Sequence, residues 1–208
     1  MLSKGQWMTL EIGHFFHATS GAAQPAYPTQ VQLKADADYL HLSFRCENDR
    51  FVSENHLREH NQPLYNQEVF ELFIAPGEAD PAQYLEVEIN PNDALWVGKI
   101  DNPSLGVGEG MKAELLAPEP TGIRHGVTKG ETSWSGTLSV PWALIGTAGA
   151  KGRYRLNFYR IVATQSHPNP DWTCDLQSCD FLCWSPTLSG AAPAFHRPKQ
   201  FGLLCVQD

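Results

Sequence analysis

The sequence predicts an all-β protein that folds as a two-sheet antiparallel β-sandwich of the jelly-roll or immunoglobulin-like type, with short helical turns. About nine to eleven short segments alternate apolar with polar residues, which is the pattern of half-buried strands. Turn-forming residues recur about every 8–12 positions, and almost no segment shows the helical period. No shift in composition marks a boundary, so residues 1–208 are expected to form a single domain.

The composition of the chain excludes several classes of partner. Charged residues make up 18% of the 208 residues, which is below the roughly 25% of an average soluble domain. Aromatic residues reach 11%, so the chain can bury enough apolar surface to fold. The net charge of -8 argues against nucleic acid, whose binding depends on clustered lysine and arginine. No stretch approaches the roughly 18 apolar residues of a membrane-spanning helix, so we expect no membrane partner, and the oligomeric state stays open.

The first half of the chain carries the clearest strand patterns. Residues 31–46 are expected to form a hairpin around the turn Asp36-Ala-Asp38, because apolar residues alternate along its second strand. A short helix is predicted for 52–61, with Ser53 as its N-cap. Three further strands are predicted at 68–75, 84–90 and 94–100.

The second half of the chain contains weaker patterns and one long connection. Pro141 could open a single helical turn, since proline is tolerated at the first helical position. Residues 164–198 are rich in Pro, Ser and Cys and are expected to be mostly loop. Strands are predicted at 111–116, 123–127, 133–140, 153–163 and 201–206. The core is expected to contain five large aromatic side chains: Phe44, Phe70, Phe158, Trp134 and Trp142.

The cysteines and the first residues of the chain predict a reducing compartment. Five cysteines is an odd number, which fits free thiols better than a complete set of disulfides. Cys174, Cys179 and Cys183 lie close together, but zinc sites more often contain paired C-x-x-C motifs, so we expect a loop with buried or free thiols. The first ten residues hold no apolar run followed by a cleavage site, so we expect a cytoplasmic protein.

Two alternative functions involve a metal or a haem. Residues 56–60 match the inverted zinc-protease motif H-x-x-E-H. On a helix, His56 and His60 would share a face and could ligate one metal, while Glu59 would activate water, as in a metal-dependent hydrolase. However, the predicted helix is short, no segment supplies a third ligand, and a solvated helical turn explains the same residues. For a haem-binding sandwich, no His/Met pair stands out among the three methionines.

The polar side of the central strands is more informative about function. Alternation places Arg45, Glu71, Glu86 and Glu88 opposite the core-facing residues. Carboxylates and guanidinium groups on a rigid sheet suit sugar hydroxyls, which need paired donors and acceptors. From the residues alone, this face is either a plain solvated surface or a sugar-binding surface. Four aromatic residues in or beside loops have no predicted packing position: Tyr65, Trp96, Trp172 and Trp184.

An ordered set of segments is similar to a known family. The set contains 63–74 (PLYNQEVFELFI), 82–90 (AQYLEVEIN), Trp134 with 140–142 (VPW), 154–161 (YRLNFYRI), 183–187 (CWSPT), 195–198 (FHRP) and 201–204 (FGLL). Their order and spacing resemble the family 9 carbohydrate-binding modules, and more closely the stand-alone bacterial relatives of those modules. The resemblance runs from about Val31 to Val206.

This resemblance implies a β-sandwich with a non-catalytic sugar-binding role. We therefore expect a carbohydrate partner, no catalytic residues and no cofactor for the chemistry. In the family modules two aromatic rings clamp a terminal sugar, and charged or amide side chains bind its hydroxyls. Tyr65 matches the first clamp position, where the modules have Trp, and Trp184 matches the second.

The resemblance also assigns the polar residues of the expected site. Glu71 matches the acidic residue of the family, and Asn157 and Arg160 match its Asn-Phe-Tyr-Arg strand. Glu88 and Arg45, on the polar side of the predicted sheet, complete the hydrogen-bonding set.

At two points the chain differs from the family or lacks a fixed pattern. The family's Arg is missing from the strand after Glu71, where the aligned positions are Leu85 or Glu86, so Arg45 or Arg160 is expected to substitute. The family modules also bind calcium structurally. Oxygen ligands for calcium could come from four acidic residues that have no fixed ligand spacing: Asp36, Asp38, Glu47 and Asp49.

Overall fold

The computed structural model describes residues 2–3, 7–10, 15–106 and 110–207 of the chain. The described part forms fourteen strands, one turn of α-helix and four 3-10 turns. None of its helices is long and apolar enough to cross a membrane. The helix α1 spans Trp142–Ile145, and the 3-10 turns are Val52–Glu54, Leu64–Asn66, Glu119–Thr121 and Pro198–Gln200. The strands are β1 (Leu2–Ser3), β2 (Trp7–Leu10), β3 (Phe16–His17), β4 (Thr29–Ala35), β5 (Tyr39–Cys46), β6 (Val69–Pro76), β7 (Gln83–Ile89), β8 (Leu95–Asp101), β9 (Lys112–Leu115), β10 (Arg124–Lys129), β11 (Trp134–Pro141), β12 (Gly152–Ala163), β13 (Cys179–Cys183) and β14 (Gly202–Gln207).

These strands form two sheets, as the sequence predicts. The larger sheet has the order β1-β14-β12-β6-β7-β8-β9, and β13 pairs with β12 and β3 beside this path. The smaller sheet has the order β10-β11-β5-β4-β2. Neighbouring strands are antiparallel, apart from the short parallel pair of β1 and β14. The prediction of a two-sheet antiparallel sandwich is confirmed.

The main core lies between the two sheets and contains the predicted aromatic residues. Phe44 of the smaller sheet stacks on Phe70 of the larger one, with ring centroids 4.0 Å apart. Trp134 meets Phe44 edge to face at 5.2 Å, an arrangement that aromatic pairs prefer. The ring of Phe44 covers Gly136, where an added Cβ would lie 2.5 Å from it. Phe158 and Trp142 are also buried, so the five predicted core positions are confirmed.

The predicted helix at 52–61 is wrong, because side-chain amides hold this segment in an irregular conformation. Only Val52–Glu54 forms a 3-10 turn, and the Ser53 side chain makes no cap, since the N-cap position is Phe51. The His56 N–H donates to the Gln67 side chain at 2.8 Å. Asn90 and Asn92 both donate to the Leu57 carbonyl. These bonds satisfy backbone groups that would otherwise require helical partners.

A second apolar layer covers the outer face of the larger sheet. The segment 164–198, expected to be mostly loop, contains β13 and contributes to this layer together with residues near both ends of the described chain. The layer, which we call the outer cluster, has these buried members: Ala18, Leu64, Val69, Phe73, Ala75, Tyr84, Ala94, Trp96, Ile100, Tyr159, Ile161, Ala163, Trp172, Cys179, Cys183 and Phe201. The polar side of the central strands is therefore not a plain solvated surface.

One disulfide corrects the expectation of reduced thiols. A disulfide joins Cys174 to Cys179 within the segment 164–198, which contributes to the outer cluster. Cys183 is buried and free, as the sequence predicts. An odd number of cysteines does not exclude a disulfide, because one bonded pair among five cysteines leaves three thiols free.

The disulfide gives the first testable expectation. Replacing Cys174 and Cys179 together by serine should lower the free energy of unfolding by about 2 kcal/mol, since the closed loop is short. Denaturant unfolding of the oxidised protein and of the double variant measures this difference. Cys205→Ser, at a free and partly exposed thiol, is the matched control and should leave the midpoint unchanged. If mass spectrometry of the oxidised protein gives the mass expected with all five cysteines as free thiols, this expectation is wrong.

Candidate functional site

The candidate site is a group of three glutamates on the outer face of the larger sheet. Glu71 on β6 lies directly opposite Glu88 on β7. Glu86 is two residues before Glu88, so the strand period places it on the same face, opposite Phe73. Side chains of directly paired residues lie about 5 Å apart at their Cβ atoms, so the three carboxyls form one group. We call this group the carboxyl cluster.

The carboxyl cluster is buried, and two of its members are hydrogen-bonded to each other. Glu88 is fully buried, Glu71 is 1% exposed and Glu86 is 4% exposed. Glu86 and Glu88 share a side-chain hydrogen bond, and the Tyr65 backbone bonds to Glu88. Glu71 Oε1 has no partner among the described residues.

Burial and mutual repulsion make these carboxyls weak acids. Burial raises the pKa of Glu86 to about 8. Burial also raises the pKa of Glu71 well above its usual range, and the charge of Glu86 adds to this effect. The pKa of Glu88 is raised well above its usual range by burial and then by the charges of Glu71 and Glu86. At neutral pH the cluster therefore holds protons that ordinary glutamates would have lost.

Two aromatic residues adjoin the carboxyl cluster. Tyr65 lies on the 3-10 turn before β6, and 49% of its surface is exposed. Partial burial raises the pKa of Tyr65, and the charges of Glu88 and Glu86 raise it further. Trp96 on β8 is paired with Glu88, and its ring folds along the strand over Gly98, where an added Cβ would lie 2.4 Å from the ring. Gly98 is in turn paired with Glu86, so the absence of a side chain there lets the Trp96 ring lie beside the carboxyls.

The segment just before β14 closes the neighbouring part of the face. The Tyr159 hydroxyl donates to the Phe195 carbonyl at 2.8 Å, and the two rings stack with centroids 4.3 Å apart. The Tyr84 hydroxyl shares a hydrogen bond of 2.7 Å with His196 Nδ1. Burial lowers the pKa of His196 to about 4, so this imidazole adds no positive charge near the carboxyl cluster at neutral pH.

The structure separates the other residues expected at the sugar site. Asn157 lies on the same face as Glu71, but its amide is bonded to the backbone of Ser185. Trp184 packs on the opposite, inner face, where its ring lies 5.8 Å from Phe158 and over Gly202. Tyr65 and Trp184 therefore do not face each other across a groove. The side of the sheet on which Trp184 lies depends on the register of β13, a strand that the sequence did not predict.

Arg45 and Arg160 also lie away from the carboxyl cluster. Arg45 is on the smaller sheet, exposed and paired with Glu47. Arg160 points to the inner side of the larger sheet, because its strand partners are Phe70 and Leu182 of the main core. Neither guanidinium substitutes for the family's missing arginine at this place. Glu86, one of the two residues that could align with that arginine, joins the site instead, on the face where alternation along the strand predicts it.

Within the described residues, the acidic side chains considered as calcium ligands are not grouped so that three of them could hold a metal ion. Asp36 accepts from His41, and Glu47 pairs with Arg45. The buried Asp49 accepts from Trp134 Nε1 at 2.9 Å and pairs with Arg160 at 3.4 Å. The Arg160 guanidinium itself occupies a shell of oxygen acceptors: the carbonyls of Tyr27, Pro28 and Glu47, the Thr29 hydroxyl and the Asp49 carboxylate.

The H-x-x-E-H segment does not have the geometry of a zinc site. Residues 56–60 are irregular, so His56 and His60 do not share a helical face. His60 Nδ1 accepts the Leu95 N–H at 3.0 Å. Within the described residues, no group of three or more His, Cys, Asp or Glu side chains is placed to hold a metal ion.

A cavity of about 1070 Å³ lies away from these residues, between the β6–β7 turn, β9 and α1. Its walls carry charges of both signs, among them Glu78, Asp80, Lys99 and Lys112. Tyr84, the aromatic residue in its lining, is buried. We assign the candidate site to the carboxyl cluster with Tyr65 and not to this cavity.

A search of curated proteins corrects the expected location. The chain is 28% identical over 162 residues to a protein of Arthroderma benhamiae named "Extracellular protein", a match that covers 75% of this chain and 72% of that protein. No family model matches the chain. The name of this relative contradicts the expectation of a cytoplasmic protein. That expectation rested on the odd number of cysteines and on the first ten residues, and neither indicated the compartment correctly.

Solved structures with the same fold cover nearly all of this chain. A protein from Bacteroides uniformis that is described as carbohydrate-binding superposes with a TM-score of 0.67 at 17% identity, over 97% of this chain and 86% of that one. A family 9 carbohydrate-binding module from Caldicellulosiruptor kristjanssonii, in complex with cellotriose, gives 0.55 at 10% identity, over 99% and 92%. A module from the same organism in complex with glucose gives 0.52 at 11% identity, over 99% and 94%. The chain has the fold of the family 9 carbohydrate-binding modules.

Proposed function

We propose that this chain is a secreted, non-catalytic carbohydrate-binding domain whose sugar site is the carboxyl cluster with Tyr65. The observation that carries the proposal is the exposed ring of Tyr65 beside a group of three buried carboxyls on the outer face of the sheet. Two proteins with this fold bind cellotriose and glucose, which supports a sugar as the ligand. The disulfide and the extracellular relative support secretion.

The chemistry of the site suits a sugar. Sugar hydroxyls both donate to and accept from carboxyl groups. We propose that the side chains covering Glu71, Glu86 and Glu88 open beside Tyr65 when a sugar binds. The apolar C–H face of a sugar ring can pack on the exposed ring of Tyr65. Water competes for each hydroxyl, so we expect modest affinity.

The arrangement of the carboxyls favours binding over hydrolysis. A glycosidase needs two carboxyls that flank the scissile bond. Glu71 and Glu88 instead stand side by side on one face of a sheet and lie under the outer cluster. Two carboxyls that lie side by side under a covering layer do not flank a scissile bond.

Tyr65→Ala tests the proposed site. The variant should weaken sugar binding about tenfold, because an aromatic contact contributes on the order of 1 kcal/mol and the ring also excludes water. Calorimetric titration with glucose, cellotriose and a panel of other sugars measures the change. Tyr39→Ala, on the smaller sheet, and Trp184→Phe, on the inner face, are the controls and should bind like the native protein. If Trp184→Phe loses binding while Tyr65→Ala retains it, the site lies elsewhere.

A further inference from the structure

Strand β9 leaves one edge of the larger sheet open. In the described part of the chain β9 pairs with β8 alone, and each of its four residues is exposed. The Leu116 N–H bonds a carbonyl of β8, so by alternation the N–H and C=O groups of Lys112 and Glu114 point to β8. Those of Ala113 and Leu115 point to the open edge. A row of backbone groups exposed in this way is a template for pairing with another strand.

The inner face of β9 carries charges of both signs. Glu114 lies directly opposite Lys99 of β8, and Lys112 lies opposite Asp101. Lys99 follows Val97 of the main core by two residues, so the strand period places these four charged side chains on the inner face. The cavity of about 1070 Å³ is lined by Lys112 and Glu114, so this side of the strand faces open space.

The outer face of β9 is apolar and exposed. Met111, just before the strand, is 37% exposed, and Leu115 is 50% exposed. Together with Ala113 they alternate with the charged residues, so they lie on the opposite face of the strand. Large apolar side chains on an open edge strand favour pairing with another chain.

We propose that β9 pairs with β9 of a second copy of this chain, antiparallel and centred on Ala113, so that the two larger sheets become continuous. In this register Lys112 faces Glu114 of the second copy, and Glu114 faces Lys112 of the second copy. Opposite charges that face each other across strands are stabilising. The inner-face charges then alternate in sign along each row, from Lys99 and Glu114 to Lys112 and Asp101 of the second copy.

The same register also pairs the apolar residues and the open backbone groups. Met111 faces Leu115 of the second copy, and the two copies of Ala113 face each other. The N–H and C=O groups that point to the open edge can therefore bond one another. A register centred on Lys112 or on Glu114 would instead place two like charges opposite each other.

Self-complementary charge distinguishes β9 from β10, an edge strand of the smaller sheet. β10 carries Arg124, His125 and Lys129 and no acidic residue. Antiparallel pairing of β10 with itself would bring basic side chains together, which is unfavourable. The charge pattern therefore selects β9 as the strand that accepts a second copy, and this inference does not depend on sugar binding.

Sedimentation velocity over a range of protein concentrations tests this dimer. One strand pair buries less surface than the roughly 1,600 Å² of a standard interface, so we expect a weak and reversible dimer. Glu114→Lys leaves only positive charges on the inner face of β9 and should raise the dissociation constant about tenfold or more, and Lys112→Glu should do the same with negative charges. Glu131→Lys makes the same charge change at an exposed residue between β10 and β11 and should dimerise like the native protein.

Rescue of the charge pairs separates this interface from other surfaces. A mixture of Glu114→Lys and Lys112→Glu should form a heterodimer, and the double variant should dimerise again, because opposite charges face each other in both cases. The substituted side chains are exposed, so these variants should fold like the native protein. A native protein that stays monomeric up to about 1 mM overturns the inference. A dimer that both single reversals leave unchanged also overturns it, since the interface would then lie elsewhere.

Discussion

Replacing Arg160 by methionine is expected to lower the free energy of unfolding by about 3–5 kcal/mol, the usual cost of removing one partner from a buried ion pair. Arg160 and Asp49 are both fully buried. The substitution would leave the Asp49 carboxylate without its cation and remove the Arg160 hydrogen bonds to the carbonyls of Tyr27, Pro28 and Glu47. Methionine fills a similar volume, so the loss of stability reflects the missing charge and hydrogen bonds and not a cavity.

Urea unfolding of the native protein and of Arg160→Met measures this effect. Arg153→Met removes an exposed arginine that pairs with Glu78 and should leave the midpoint unchanged, because exposed ion pairs contribute little. Chelation with EDTA should also leave the midpoint unchanged, since the guanidinium occupies the oxygen shell that a structural cation would need. A large loss of stability on chelation would show that a metal site exists and that the role given to Arg160 is incomplete.

The second large effect is a loss of stability as the pH rises. The unfolded chain has a glutamate pKa of about 4.3, whereas that of Glu86 in the folded protein is about 8. Between these values the folded protein binds more protons than the unfolded chain, so the free energy of unfolding falls as the pH rises. This contribution is complete below the unfolded pKa and is lost as the pH rises through the folded one. Glu86 alone should cost about 4 kcal/mol between about pH 5 and about pH 8.

Glu71 and Glu88 act in the same direction, because their pKa values are also raised. Unfolding curves at several pH values test the slope, and Glu86→Gln should flatten it and make the variant more stable than the native protein at about pH 8. Glu78→Gln, at an exposed pair, should keep the native slope. A native protein whose stability rises over this range would contradict the burial of three protonated carboxyls.

Period-two patterning was enough to predict the sandwich and its main core. Phe44, Phe70 and Phe158 could be placed because each lies in a strand whose neighbours alternate clearly. The same patterning put Glu71, Glu86 and Glu88 on one face. It could not show that this face is covered, because the covering segment 164–198 has no period of its own and is held by its contacts with the sheet.

The candidate site was therefore predicted only in part. Tyr65, Glu71 and Glu88 lie together as expected, since they belong to one turn and two adjacent strands. Trp184 could not be placed from the sequence, because one residue of register in β13 decides which face of the sheet it occupies. The pairing of Cys174 with Cys179 depends on how a loop folds, and composition carries no information about that.

Gly98 has a consequence for any attempt to redesign this protein. The Trp96 ring can lie flat on the strand only because position 98 has no Cβ, and the nearest ring atom would be 2.4 Å from one. Any larger residue there would displace the indole and expose the carboxyls beside it. Gly98 has no side chain that could contact a ligand, yet adding one methyl group there would change how far the site opens. Gly98 is therefore the first position to vary when the ligand specificity is redesigned.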